Sequence, residues 1–341
     1  MNQTKCKATG RYKMNNPTLF DRVYGCMLGG LIGDAMGAPV ENWHYRDIAA
    51  KHGVLSTFSG DGTDDSAVKF IIYQSLIEND GYITADELAA SFLHNPQFYN
   101  LFYIPVRNMY HKIKDHLALP IDAGNGNMQS SSSAMAISPI GIINACHPRQ
   151  AAIEAFDAAS LVHSGMTGFC RDGACAIAAA IAQSMVPQTT VDEVIDAATR
   201  YLHQTSSRIM IDQIHTVMDL ARRSAGYEHF REQFYEQNLC DVICDSRETI
   251  PATLAIFYLS DGDPERCIVN AANFGRDADT IASMVGAIAG AYRGVEGLNQ
   301  SWVEQIEQGA SKQKEMAVNL VGIIEKRKRQ LKSIVDHLSS M

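Results

Sequence analysis

The 341-residue chain is 46% hydrophobic and 20% charged, which suffices for the core of one large domain or two ordinary ones. A formal charge of −9 excludes a duplex nucleic-acid binder, which needs a basic face to neutralise phosphates; a small anionic ligand stays open if bound cations reverse the local field. The eight cysteines lack metal-ligand pairing and read as free thiols of a reducing cytoplasm. No membrane span is expected, because Gly, Pro or a charge interrupts every apolar stretch.

Met1 to Pro17 is polar, without the apolar segment of a secretory signal. Residues 1–18 are therefore expected to form a tail, mobile or docked on a partner, ahead of a domain covering 19–341. The first helix shows in Phe20, Val23, Tyr24, Met27, Leu28, Leu31, Ile32 and Ala35, which keep the three-and-four spacing of an amphipathic helix. It also carries Gly25, Gly29, Gly33 and Gly37 on one face. Glycines weaken a helix, so their alignment predicts a flat ridge for close packing of another helix. Short strands are expected near 54–58 and 137–143. Thr84 and Glu87 have capping-box spacing, and the aromatic and turn-rich stretch from Phe92 to Asn127 suits an irregular, ligand-selecting excursion.

Helices are expected over 150–162, 171–186, 191–203, 206–223, 250–259 and 264–273. Asp172 is expected to cap the second of these, Pro148, Pro251 and Pro264 to sit in first turns, and Asp263 to be an N-cap. A Lys/Arg-rich amphipathic helix from about 313 to 338 closes the chain. The whole reads as one all-α domain.

Two acidic clusters stand out. Asp64 and Asp65 follow Thr63 at a helix start, where free N–H groups and the helix dipole tolerate negative charge. A simple cap needs only one acid; two adjacent carboxylates repel unless a cation lies between them. Asp277 and Asp279 show the same excess before a small-residue helix with Gly286, Gly290 and Gly294 as a second ridge, in which Thr280 is expected to be the opening residue. Packing of the two ridges brings the clusters together. Four carboxylates and two Thr hydroxyls form an all-oxygen set that suits Mg²⁺, Mn²⁺ or Ca²⁺ rather than Zn²⁺; two independent helix caps are the alternative.

At these residues the chain resembles the ADP-ribosylglycohydrolase family, from Tyr24 to about Trp302. The likeness is carried by Gly29-Gly30-Leu31-Ile32-Gly33-Asp34-Ala35-Met36-Gly37-Ala38-Pro39-Val40-Glu41, by Gly62-Thr63-Asp64-Asp65-Ser66, and by Phe274-Gly275-Arg276-Asp277-Ala278-Asp279-Thr280-Ile281-Ala282 running on to Gly294. The resemblance implies a compact all-α fold with a centre of two Mg²⁺ or Mn²⁺ ions held by Thr63, Asp64, Asp65, Asp277, Asp279 and Thr280. It implies hydrolysis of the bond joining ADP-ribose to a protein side chain, arginine above all, with Glu41, Asp64 and Asp279 as catalytic groups. His163, Asn125 and Ser132 are then expected at the substrate, His163 being alternatively a satisfied structural residue. Asp34 is expected to be a partner or packing acid rather than a catalyst.

The nucleotide-binding stretch departs from the family pattern. A run Ser130 to Ser133 separates Gly124-Asn125-Gly126 from Ala134-Met135, and Ala136 stands where the family has Arg. Another small N-riboside is therefore the alternative substrate. A further reading is an immunity protein that binds an ADP-ribosylating toxin through the tail.

Overall fold

A computed structural model describes residues 17–309 and 312–341; the tail expected over 1–18 falls almost wholly outside them. The regular elements of the described chain are all helices. In order, the helices are α1 Leu19–Gly37, α2 Tyr45–His52, α3 Asp64–Glu78, α4 Ala85–His94, α5 Ile104–Lys114, α6 Ser138–Ile143, α7 Pro148–Ser160 and α8 Gly168–Ser184. They continue with α9 Val191–Arg200, α10 Arg208–Arg223, α11 Tyr227–Gln237, α12 Ser246–Leu259, α13 Pro264–Ala272, α14 Ala278–Arg293, α15 Gln300–Gly309 and α16 Gln313–Ser339. The capping boxes at Thr18 with Asp21 and at Thr84 with Glu87 are formed, and Asp263 caps α13.

α1 and α14 form the centre, and both are buried along nearly their whole length. They run antiparallel, since Gly25 faces Gly290 while Gly37 faces Asp279. Their backbones touch: a Cβ on Gly29 would lie 2.2 Å from the Gly286 carbonyl oxygen, and one on Gly286 would lie 2.1 Å from that of Gly29. The ridges expected from the glycine spacing do meet. Because the pair is antiparallel, the C-terminal end of α1, with Asp34 and the Glu41 loop after it, stands beside the N-terminal end of α14. The opposite end is closed by the buried Arg22, which donates to the carbonyls of Ser184 at 2.8 Å, Ala291 at 3.0 Å and Tyr292 at 2.9 Å. These are orphan carbonyls at the ends of α8 and α14, where a cation also meets the negative helix terminus.

Several expectations need correction. α1 does have the length and hydropathy to span a bilayer, but 89% of its apolar stretch is buried inside the protein, which makes it a core helix. Neither expected strand forms: 54–58 lacks regular structure, and 138–143 is α6, apolar on every side and so without the alternation of a half-buried strand. Pro251 lies inside α12, because Asp245 starts that helix a turn earlier by accepting from Arg247 N–H at 2.9 Å. Asp172 is the fifth residue of α8 and buried, and no side chain caps that helix, whose N-cap residue is Thr167. The excursion between Phe92 and Asn127 contains α5, whose buried Val106, Met109, Tyr110 and Ile113 keep helical spacing. The seven described cysteines are free, as expected.

Candidate active site

The turn before α3 is built around Asp34, which is fully buried near the end of α1. Its carboxylate accepts from the Thr63 backbone at 3.0 Å, the Thr63 hydroxyl at 2.9 Å, the Ser66 backbone at 3.0 Å and the Ser66 hydroxyl. Those bonds fix the start of α3, where Thr63 caps through Asp65 N–H. Asp34 is thus a positioning acid, as expected.

On the facing element Asp277 is the N-cap residue of α14, and the helix opens at Ala278 rather than at Thr280. Asp277 accepts from Ser131 Oγ at 2.9 Å. The clusters touch directly, since Thr280 donates to Asp65 Oδ2 at 3.2 Å and Thr63 Oγ1 lies 3.4 Å from Asp279 Oδ2. Glu41, on the loop after α1, joins them. Oxygens of Glu41, Asp277 and Asp279 lie within 4.8 Å of one another.

These groups open on one cavity of about 170 Å³, lined by Glu41, Asp64, Asp65, Asp277, Asp279 and Thr280 together with Asn42, Tyr103, Ser131, Ser132, Met135, Ile243 and Cys244. Burial, then the charge of Asp34, pushes the Asp64 carboxyl up to about 6 and holds Asp65 well above the usual carboxylate range. Burial and Asp279 do the same to Asp277, and burial and Asp65 to Asp279. Lys69, buried one turn along α3 and bonded to the Ser283 hydroxyl, opposes the shift at Asp65. The cluster stays short of positive charge. Two of its buried oxygens, Asp65 Oδ1 and Asp279 Oδ1, have no hydrogen-bond donor. An unpartnered buried carboxylate oxygen is costly, and a hard cation with oxygen ligands removes that cost.

Of the residues expected at the substrate, Ser132 lines the cavity and His163 and Asn125 do not. His163 is fully buried behind the serine run, with Nε2 3.2 Å from Ser130 Oγ and Nδ1 2.9 Å from Ser133 Oγ. Burial pushes its pKa down to about 4, so it is neutral and holds the serines in place. Asn125 is exposed and accepts from Ser164 Oγ at 3.1 Å. Tyr103 was unassigned in the aromatic stretch; it lines the mouth and donates its backbone N–H to Asp64 Oδ2 at 3.2 Å. Lys69 was visible as the one charge in an apolar helix pattern, four residues after Asp65. Cys244 and Ile243 carry no sequence signal.

Arg276 ties three walls together. Its backbone, in the left-handed region at φ 61°, exchanges bonds with the Glu41 loop: Asn42 N–H donates to Arg276 O at 2.7 Å, and Arg276 N–H to Trp43 O at 2.8 Å. Its guanidinium grips Glu248 through two bonds of 2.7 and 2.8 Å and also donates to Cys240 O at 2.6 Å. The Glu248 side chain is fully buried. Removing one partner of such a pair strands the other charge, so Glu248→Ala is expected to destabilise the fold by about 3–5 kcal/mol, read as a lower urea midpoint. An unchanged midpoint would show that the pair holds nothing.

The ADP-ribosylglycohydrolase family profile matches residues 15–330. YegU of Escherichia coli K12 is 25% identical over 84% of this chain and 92% of its own length. The ADP-ribosyl-[dinitrogen reductase] glycohydrolase of Rhodospirillum rubrum is 24% identical over 86% of this chain and 93% of its own. The ADP-ribosylhydrolase ARH3 of Bos taurus is 22% identical over 84% and 88%. A solved structure, an ADP-ribosylglycohydrolase-related protein complex, superposes with a TM-score of 0.66 at 19% identity, covering 90% of this chain and 98% of that one, and so shares the fold. With the family profile spanning the helical domain and its acidic site, the chain belongs to the ADP-ribosylglycohydrolase family, whose members hydrolyse glycosidic bonds.

Proposed function

We propose that the chain removes ADP-ribose from a modified protein side chain, arginine first, using divalent cations held between the two acidic clusters. The observation that carries this reading is the meeting of four aspartates in one cavity, three of them buried and two with an oxygen lacking any donor. Thr63, Asp64, Asp65, Asp277, Asp279 and Thr280 are the residues to hold two Mg²⁺ or Mn²⁺ ions. Bound there, the ions supply the charge that orders the ribose hydroxyls and acidifies a water.

The remaining work falls to the chain. The ring of carboxylates favours the positive charge that builds on the ribose as the bond to the side chain breaks. Glu41 is exposed on its loop and can accept a proton from the attacking water, then return it to the leaving group. Ser131 and Ser132 offer hydroxyls at the cavity wall, and Tyr103 bounds the opening.

The cavity size favours a second reading. About 170 Å³ lies below the roughly 300–1,000 Å³ of pockets that enclose drug-sized ligands. It suits a pentose, with any nucleotide portion lying outside. The buried Ala136, where the family has Arg, offers nothing to a phosphate. A smaller N-riboside satisfies both observations.

Incubation with ADP-ribosyl-arginine and Mg²⁺ or Mn²⁺ is expected to release free ADP-ribose. Glu41→Gln should lower kcat by about 10²–10⁴-fold while KM stays within a few-fold. Cleavage of a simple N-riboside with no release from ADP-ribosyl-arginine transfers the activity to the second reading.

A further inference from the structure

The last turns of α16 stand clear of the body. From Lys328 onward every residue is exposed, although the helix is continuous to Ser339 and contains no Gly or Pro after Gly322. Leu331, Ile334, Val335 and Leu338 keep the spacing of a single helix face, and each is 54–66% exposed. Monomeric proteins seldom present such a stripe to water. Basic charge flanks it: Lys326 pairs with Asp80 and Arg327 with Glu154 at the root. Farther out, Arg329 and Lys332 have no ion-pair partner among the described residues.

The same chain carries a surface complementary to this arm. Ala89 and Leu93 of α4, Ile113 of α5, and Leu117, Leu119 and Pro120 beyond it line an open groove of about 530 Å³. Leu117 is 74% and Leu119 68% exposed. Asp86 lines the groove, and Glu87 and Asp157 lie close enough to Asp86 for Asp157 to feel both charges. The rim is acidic.

We propose that the arm of one copy lies in the α4–α5 groove of a second copy, and that the exchange is reciprocal. Charge decides the occupant. Two arms pairing side by side in parallel would set Arg329 and Lys332 against their equivalents, whereas the groove offers Asp86, Glu87 and Asp157. An anionic membrane would attract the arm but repel a chain of net charge −9. The arm cannot fill its own groove, because nothing in it allows the helix to turn back. Its root lies beside Gly81 and Tyr82, since Arg327 donates to Gly81 O and its guanidinium stands 4.1 Å from the centre of the Tyr82 ring. Tyr82 leads directly into α4, so both halves of the contact occupy one side of the molecule. A two-fold axis there closes two identical contacts and leaves no free arm.

Sedimentation velocity of the full chain at micromolar concentration is expected to show a dimer. Ile334→Asp with Leu338→Asp, and separately Leu117→Asp with Leu119→Asp, should each give monomers with unchanged helical circular dichroism. Mixing these two variants restores one intact arm–groove contact, and a heterodimer weaker than the wild-type dimer should form. Asp86→Lys, an exposed change that spares the fold, should weaken the dimer at least tenfold, and Lys332→Glu in the same chain should recover it. A monomeric wild type overturns the proposal. So does a dimer that arm substitutions break but groove substitutions do not. Arm-dependent binding of the wild type to phosphatidylserine vesicles, with no dimer, overturns it in favour of a lipid surface.

Discussion

Asp279→Asn is expected to abolish turnover and metal binding while making the metal-free protein more stable. Asp279 is buried beside Asp65, and burial and that neighbouring charge hold its carboxyl well above the usual range. Its Oδ1 has no donor, so the ionised form is a net burden on the fold without a cation. The neutral amide removes one charge from a cluster of four. On the proposed ligand assignment, the loss should cost more than the roughly 10–100-fold in affinity that loss of a supporting group costs. The pH dependence follows with a definite sign. Asp64 titrates at about 6 in the fold against an ordinary value of 3.8, so the folded state binds more protons between those values. The stabilisation from proton uptake is complete below the unfolded value and is lost as pH rises through about 6. Metal-free wild type should therefore melt a few degrees lower at about pH 7.5 than at about pH 5.5, and Mg²⁺ or Mn²⁺ should reverse the difference. Isothermal titration calorimetry and thermal melts with and without chelator read both effects. A variant that keeps metal affinity and turnover refutes the ligand assignment.

The parts of this site legible in the sequence are those whose residues lie close together in it. Thr63-Asp64-Asp65 and Asp277-Ala278-Asp279-Thr280 each exceed what a helix cap requires, and the four-residue spacing of glycines in two helices supplied the reason for them to meet. What was not legible depends on contacts across the chain. Cys244 and Ile243 reach the cavity because the loop carrying them is anchored through Cys240 to the Glu248–Arg276 pair, and neither residue hints at that. Tyr103 is placed by α5, which lay hidden in an aromatic stretch. His163 was read both ways, and its two serine partners place it behind the wall. The helices themselves were more legible than their starts. Pro251 was assigned to a first turn because proline is tolerated there, yet the side-chain cap from Asp245 set the boundary.

Gly33→Ala and Gly30→Ala, the same change at two positions three residues apart on α1, are expected to have opposite effects. A Cβ on Gly33 would lie 2.1 Å from the Ala282 carbonyl oxygen and 2.5 Å from its carbon. Both are backbone atoms of α14, which no rotamer change can move aside. A Cβ on Gly30 would meet Ala287 Cβ and Ser283 O at 3.4 Å, an ordinary contact. Gly30→Ala should therefore be near neutral or gain up to about 1 kcal/mol from helix propensity. Gly33→Ala forces the two central helices apart by about an ångström and should cost about 3 kcal/mol, the upper end of overpacking penalties. The damage reaches the chemistry because Gly33 precedes Asp34, which fixes Thr63 and Ser66, while Asp279 packs against Gly37 one turn on. Separating the helices separates the two acidic clusters. A displacement of that size at reacting groups is worth about 10² in rate, so the surviving folded Gly33→Ala protein should be slow as well as unstable. Urea midpoints and kcat for the two variants decide the matter. Equal stability losses at both positions would mean that the glycines serve the helix itself, whereas opposite outcomes assign them to the contact that builds the site.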